Sequence, residues 1–147
     1  MVRIPRLGKE WRVPVHRGTG ARTLRRGLGL YAGSPLPGRP GNVALAGHRT
    51  TWGAPFRRLD RVRRGDAVLV WTPTRRLEYR VSGTGVTRPG DTSVIEPPDT
   101  PLDSTPPALL TLTTCHPEFS ARERLYVRAV LVAATDLRAV SRPRVRA

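Results

Sequence analysis

Breakers of regular structure recur along this 147-residue sequence, which holds 15 prolines and 14 glycines. A proline removes a backbone donor and a glycine loosens the backbone, so the segments between them favour turns and short strands over long helices. The apolar residues agree. Residues 42–46 are a short apolar run bounded by turns, which reads as a buried strand. Residues 67–72 and 77–81 read as strands joined by a hairpin at 73–76. Residues 83–87 continue the second of them past a bulge at Gly83 or Gly85. Residues 108–114 form a strand that ends at Cys115. Residues 124–134 form the last strand, with Leu125, Val127, Ala129, Leu131 and Ala133 on one face. The stretch 2–15 alternates loosely and carries Pro5 and Pro14, which edge strands tolerate. One helical turn fits within 19–30, and a short helix within 54–59, with Pro55 in its first turn. Residues 33–41 form a rigid loop by composition. Residues 88–107, rich in Pro, Asp, Ser and Thr, form the longest loop, with a helical turn near Val94. That length marks a functional or mobile segment. Many short strands and one or two short helices describe an all-β barrel or sandwich.

A chain of this length suits one domain and buries a sufficient core without staples. Its single cysteine excludes an internal disulfide framework and a Cys-rich zinc module. The domain is expected over 1–135, followed by a frayed basic tail over 136–147 that carries Arg138, Arg142, Arg144 and Arg146. The net charge of +15 comes from 26 basic and 11 acidic residues. Charge of that size is compatible with a nucleic-acid or polyanion binding module without catalysis. However, only Lys9 is lysine and the other 25 basic residues are arginine, a skew that matches the amino-acid usage of a GC-rich genome. The charges are spread along the chain, and aromatics make up only 5 %, so a base-stacking platform is poorly supplied. A dedicated nucleic-acid partner is therefore not expected, and attraction to an anionic surface is the milder consequence. The longest apolar runs, 43–46 and 129–134, are far short of the ~20 residues that cross a bilayer. The first residues lack the apolar core of a signal peptide.

Three residues able to do chemistry sit at the ends of expected strands. His48 follows the strand 42–46, Cys115 ends the strand 108–114, and Arg124 opens the last strand. Rigid strand ends present reactive groups to a cleft. A cysteine nucleophile needs a neighbouring base or cation to raise its thiolate fraction. A histidine supplies that base and later protonates a leaving amine. An arginine supplies fixed donors for the oxyanion. Brought together, they make an acyl-transfer site. Taken singly they say little: a lone cysteine is more often a small buried hydrophobe, and Arg124 is one of 25 arginines. Zinc held by Cys115, His116 and His48 is a weaker alternative, because adjacent residues of an extended chain point to opposite faces. Asp60, Asp66 and Glu78 read as ordinary turn and helix-end carboxylates rather than an acid pair.

The sequence resembles the sortases, most of all the class E sortases of high-GC Gram-positive bacteria. The resemblance rests first on Pro37-Gly38-Arg39-Pro40-Gly41-Asn42-Val43-Ala44-Leu45-Ala46-Gly47-His48-Arg49-Thr50-Thr51 and on Gly53-Ala54-Pro55-Phe56-Arg57-Arg58-Leu59-Asp60. It rests further on Leu110-Thr111-Leu112-Thr113-Thr114-Cys115-His116-Pro117 and on Phe119-Ser120-Ala121-Arg122-Glu123-Arg124-Leu125-Tyr126-Val127. It implies a closed eight-stranded β-barrel with short helices. It implies a cysteine transpeptidase that cleaves a C-terminal LPXTG/LAXTG-like sorting signal through a thioacyl-enzyme. An amine of the peptidoglycan precursor would then take the protein onto the cell wall. Cys115 would be the nucleophile, His48 the general acid/base and Arg124 the oxyanion partner, preferred over Arg122 because it directly precedes the apolar strand. Thr114, Arg49 and Tyr31 would line the substrate site. The resemblance brings no cofactor, and no acidic cluster suggests a metal. It implies the extracytoplasmic face of the membrane, reached through an upstream anchor that is not part of this sequence. A related transpeptidase that crosslinks peptidoglycan stems would be expected to carry Ser-x-Gly-Cys, which does not occur here.

Overall fold

The computed structural model describes residues 1–140, except for the side chain of Val140. Nine strands form one sheet: β1 Val2–Arg3, β2 Arg12–Val13, β3 Val15–Arg17, β4 Leu28–Leu30, β5 Gly41–Ala46, β6 Ala67–Trp71, β7 Arg75–Thr87, β8 Ala108–His116 and β9 Glu123–Asp136. Two single-turn helices, α1 Ala21–Leu24 and α2 Leu137–Val140, and two 3₁₀ turns complete it. No helix among the described residues is long and apolar enough to cross a membrane.

The hydrogen-bonded order is β2-β1-β6-β7-β9-β8-β5-β4-β3. Eight strands in a closed ring were expected, whereas nine lie in a line with β2 and β3 at its two ends. The difference comes down to one residue. Only Pro14 separates β2 from β3, so the chain itself passes from one end of the sheet to the other. A proline has no N–H to donate, and the ladder breaks there. Its carbonyl is still used, accepting the N–H of Leu28 at 2.9 Å. Counted as one strand bent at Pro14, β2 and β3 bring the ring to eight, and the backbone closes it.

The strand patterns explain the layering. In β7, Leu77, Tyr79 and Val81 enter the core while Arg76 and Arg80 stay outside, the period of two of a half-covered strand. β5 is buried at every position because it pairs parallel with β8 and is covered on both faces. Inside the ring Val2, Ile4, Leu28, Val43, Leu45, Phe56, Leu59, Leu110, Leu112 and Val127 form one apolar cluster with the β7 residues. The Tyr79 hydroxyl crosses this core to accept the Gly38 N–H at 2.8 Å, and burial pushes its ionisation up.

Two bulges reset the faces. The β7–β9 register shifts between Val81 and Gly83, where the sequence placed a bulge, and again opposite Glu78 and Tyr79. The second shift leaves Val132 unpaired, so Ala133 leaves the face it was expected to share with Leu131 and is exposed. The helix expected within 54–59 is instead a set of turns ending in the 3₁₀ turn Leu59–Arg61. The expected tail boundary after 135 falls inside an element, because Asp136 pairs with Arg75 and the Leu137 N–H reaches the Thr74 carbonyl. Residues 141–147, with Arg142, Arg144 and Arg146, lie outside the described residues.

The long segment 88–107 is tied at both of its early turns. Asp91 accepts from the Thr87 hydroxyl, the Ser93 hydroxyl and the Ser93 N–H. These donors hold its carboxyl down at about 2, the Ser93 hydroxyl contributing most. A carboxylate depressed on folding stabilises the native state fully above its ordinary value and loses that contribution as pH falls through the folded value. The stability difference between the protein and Asp91→Asn is therefore expected to be constant above about pH 5 and to vanish between about pH 4 and 2, as read by urea unfolding across that range. A difference that grew on acidification would contradict the assignment.

Gly47 supports a second expectation. A Cβ there would sit 2.6 Å from Phe56 Cδ2 and 2.7 Å from Leu28 Cδ2, both in the fully buried core. Gly47→Ala is expected to cost about 1–3 kcal/mol by overpacking, seen as a lower urea midpoint with an unchanged slope. An unchanged midpoint would show that the contact yields.

Candidate functional site

The register of three neighbouring strands decides which side chains share a surface. β5 runs parallel to β8, with Ala44 beside Thr111 and Ala46 beside Thr113. β9 runs antiparallel on the other side, with Arg128 beside Thr111, Tyr126 beside Thr113 and Arg124 beside Cys115. Leu110 and Leu112 enter the core, so alternation turns Thr111, Thr113 and Cys115 to the outer face. The pairing continues past the end of β5. The Gly47 N–H donates to the Thr113 carbonyl at 3.1 Å, and the Thr114 hydroxyl donates to the Gly47 carbonyl at 2.8 Å. Continuing the same register two residues beyond the Ala46–Thr113 pair would bring His48 level with Cys115. Cys115 and Arg124 are thus direct neighbours in one row across β8 and β9, and His48 stands two residues past the end of β5, the strand on the other side of β8. All three are partly exposed.

The surroundings of this row are polar and ordered. The His48 carbonyl accepts the Phe56 N–H at 3.0 Å, which closes the turn that follows the histidine. The Arg124 guanidinium rests on the carbonyls of Ala121 and Glu123 at 3.2 and 3.1 Å. Arg122, the competing arginine, lies exposed in the loop before β9. One row further along, the Tyr31 hydroxyl is 2.9 Å from Thr113 Oγ1, so Tyr31 does stand over the outer face.

Two of the expected substrate contacts are placed differently. Thr114 belongs to the inward-facing set and is buried, and its hydroxyl pins the Gly47 carbonyl. Arg49 is only 5 % exposed and is engaged by protein acceptors at each of its three nitrogens. An arginine so enclosed and so fully paired has no face left for a peptide. Asp60, Asp66 and Glu78 are ordinary carboxylates, as expected: they pair with Arg49, Arg6 and Arg80.

Asn42 carries more than the sequence reading gave it. It is buried on the outer face, accepts from the Thr111 hydroxyl at 2.7 Å and donates to the carbonyls of Val94 and Glu96, both at 3.0 Å. Arg128 adds a donor to the same Val94 carbonyl at 3.1 Å. Together they strap the segment 88–107 to β5 and β9 at Val94 and Glu96. The signal was present in the sequence as a lone amide within an apolar run, a residue type that needs several partners when buried.

Comparison with known proteins agrees with this architecture. A family model described as the sortase domain matches residues 2–132. The chain is 35% identical over 141 residues to Sortase SrtE1 of Streptomyces coelicolor, a match that covers 90% of this chain and 40% of that protein. The chain thus spans less than half the length of that relative. Among solved structures it is similar to sortase E from Streptomyces avermitilis, with a TM-score of 0.81 and 38% identity over 97% of this chain and 92% of that one. It is similar also to Sortase E1 from Streptomyces coelicolor with a tripeptide in the active site, with a TM-score of 0.82 and 30% identity over 97% and 92% of the two chains. The barrel and the match across residues 2–132 together make this chain a member of the sortase family, similar to the sortase E proteins among its relatives.

Proposed function

We propose that this chain is the catalytic domain of a cysteine transpeptidase acting on a C-terminal sorting signal of the LPXTG/LAXTG kind. The observation that supports the reading is the pairing of Cys115 with Arg124 across β8 and β9, with His48 two residues past the end of β5, the strand that pairs with β8 on its other side. The Cys115 thiolate attacks the carbonyl carbon of the Thr–Gly bond. The carbonyl π pair moves to oxygen, and Arg124, released from its loop carbonyls, faces that charge. Collapse of the adduct breaks the C–N bond, and His48 as imidazolium protonates the departing amine. A thioester remains. An incoming amine, supplied in this reading by a peptidoglycan precursor, attacks it, gives its proton to His48 and leaves Cys115 as thiolate. In this reading the extended peptide lies over the outer face between the strapped segment 88–107 and Tyr31. The relative crystallised with a tripeptide in its active site supports a peptide substrate by analogy. The family's extracytoplasmic location fits a strongly basic domain, since the charge of +15 favours residence near an anionic envelope.

The test is acyl-enzyme formation with a sorting-signal peptide, followed by intact mass. The native protein is expected to gain the acyl fragment and to release it to an added amine. Cys115→Ala is expected to gain nothing. His48→Ala and Arg124→Ala are each expected to lose roughly 10²-fold or more in kcat/KM, the size typical of a lost acid/base or oxyanion donor. Full turnover by Cys115→Ala would end the reading.

A further inference from the structure

The buried guanidinium of Arg49 joins three segments that the ladder alone leaves separate. Its Nε donates to the Arg57 carbonyl at 3.0 Å. Its Nη1 donates to the Cys115 carbonyl at 2.8 Å and lies 3.4 Å from His116 Nδ1. Its Nη2 reaches Asp60 Oδ1 at 3.3 Å, and the Asp60 side chain is 47% exposed. A buried charge persists only when paired and hydrogen-bonded in this way. The planar fork matters as well, because acceptors set at fixed angles around one guanidinium cannot all be reached by an ammonium.

The position of Arg49 in the chain gives these bonds a consequence. It is the residue directly after His48, and the carbonyl that it holds belongs to Cys115. One side chain therefore fixes the peptide plane leaving the thiol-bearing residue and the backbone leaving the imidazole-bearing residue. The Phe56 N–H on the His48 carbonyl closes the same unit. We propose that Arg49 is a positioning residue that sets the spacing of Cys115 and His48 for reaction and does not touch the substrate. This rests on the transpeptidase reading above and deepens it. Errors of about 1 Å in such spacing can cost on the order of 10²-fold in rate, and they act on kcat while leaving the peptide groove intact.

The test compares the native domain with Arg49→Lys and Asp60→Ala, in acyl transfer from a sorting-signal peptide and in alkylation of Cys115 by iodoacetamide across pH. Arg49→Lys keeps the charge and loses the fork. It is expected to lower kcat at least about tenfold with KM within twofold, and to change the pH profile of alkylation as the thiol and imidazole lose their fixed relation. Asp60→Ala removes only the solvent-side contact. It is expected to lower kcat a few-fold with KM unchanged, and it keeps the test decisive should Arg49→Lys fail to fold. A rise in KM at unchanged kcat in either variant would return Arg49 to substrate binding and overturn the proposal. So would unchanged kcat together with an unchanged alkylation profile. Alkylation needs no peptide. A native domain that alkylates normally yet never acylates would overturn the transpeptidase reading alone, and the alkylation profiles would then decide the role of Arg49.

Discussion

The parallel ladder between β5 and β8 is the constraint from which the site follows. Parallel neighbours cannot be joined by a tight turn, so 61 residues separate the two strands in the chain. That ladder brings the turn at 47–49 beside the end of β8, and the antiparallel β9 then returns Arg124 to the same level. Backbone hydrogen bonds thus set Cys115 beside Arg124 within a sheet whose inner face is packed with leucine, valine and phenylalanine. The turn that carries His48 lies past the end of β5, and the side chains of Thr114 and Arg49 tie it to β8.

Much of this was legible because the relevant signals are local. The run Val43-Ala44-Leu45-Ala46 between turns, the alternation in β7, and the chain of β-branched and apolar residues before Cys115 each report a strand without knowledge of its partners. The motifs pointed to His48, Cys115 and Arg124, and the ladder sets Cys115 beside Arg124 while His48 lies two residues past the end of β5. What sequence could not supply were properties fixed by partners far along the chain. Thr114 sits beside Cys115 and looks like a substrate contact, yet the register turns it inward. Arg49 stands in a motif with His48 and looks like a substrate contact, yet the carbonyls of Arg57 and Cys115 enclose it. Val132 lies in an unbroken apolar run, and only the pairing with β7 shows that the face inverts there.

The arginine excess also looks different once the fold is known. Composition treats the 25 arginines as one population. The structure divides them by neighbourhood. Arg49 braces the turn after His48 against the Cys115 carbonyl, and Arg128 holds the Val94 carbonyl of the segment 88–107. Arg6 fixes Asp66 and depresses its ionisation, chiefly through the side-chain hydrogen bond. Others remain at the surface, where exposed ion pairs contribute little to stability. A net charge that suggested a binding module is, in part, scaffold.

The bend at Pro14 governs how this sheet can meet other molecules. Many small β proteins capture extended peptides by letting them join as one more strand at a free margin. Here the two outermost strands of the described sheet are two and three residues long and consecutive in the chain, joined through Pro14, so neither end of the strand order offers a long edge for an added strand. An extended guest arriving at this bend therefore meets little unpaired backbone, and side chains are left to recognise it there.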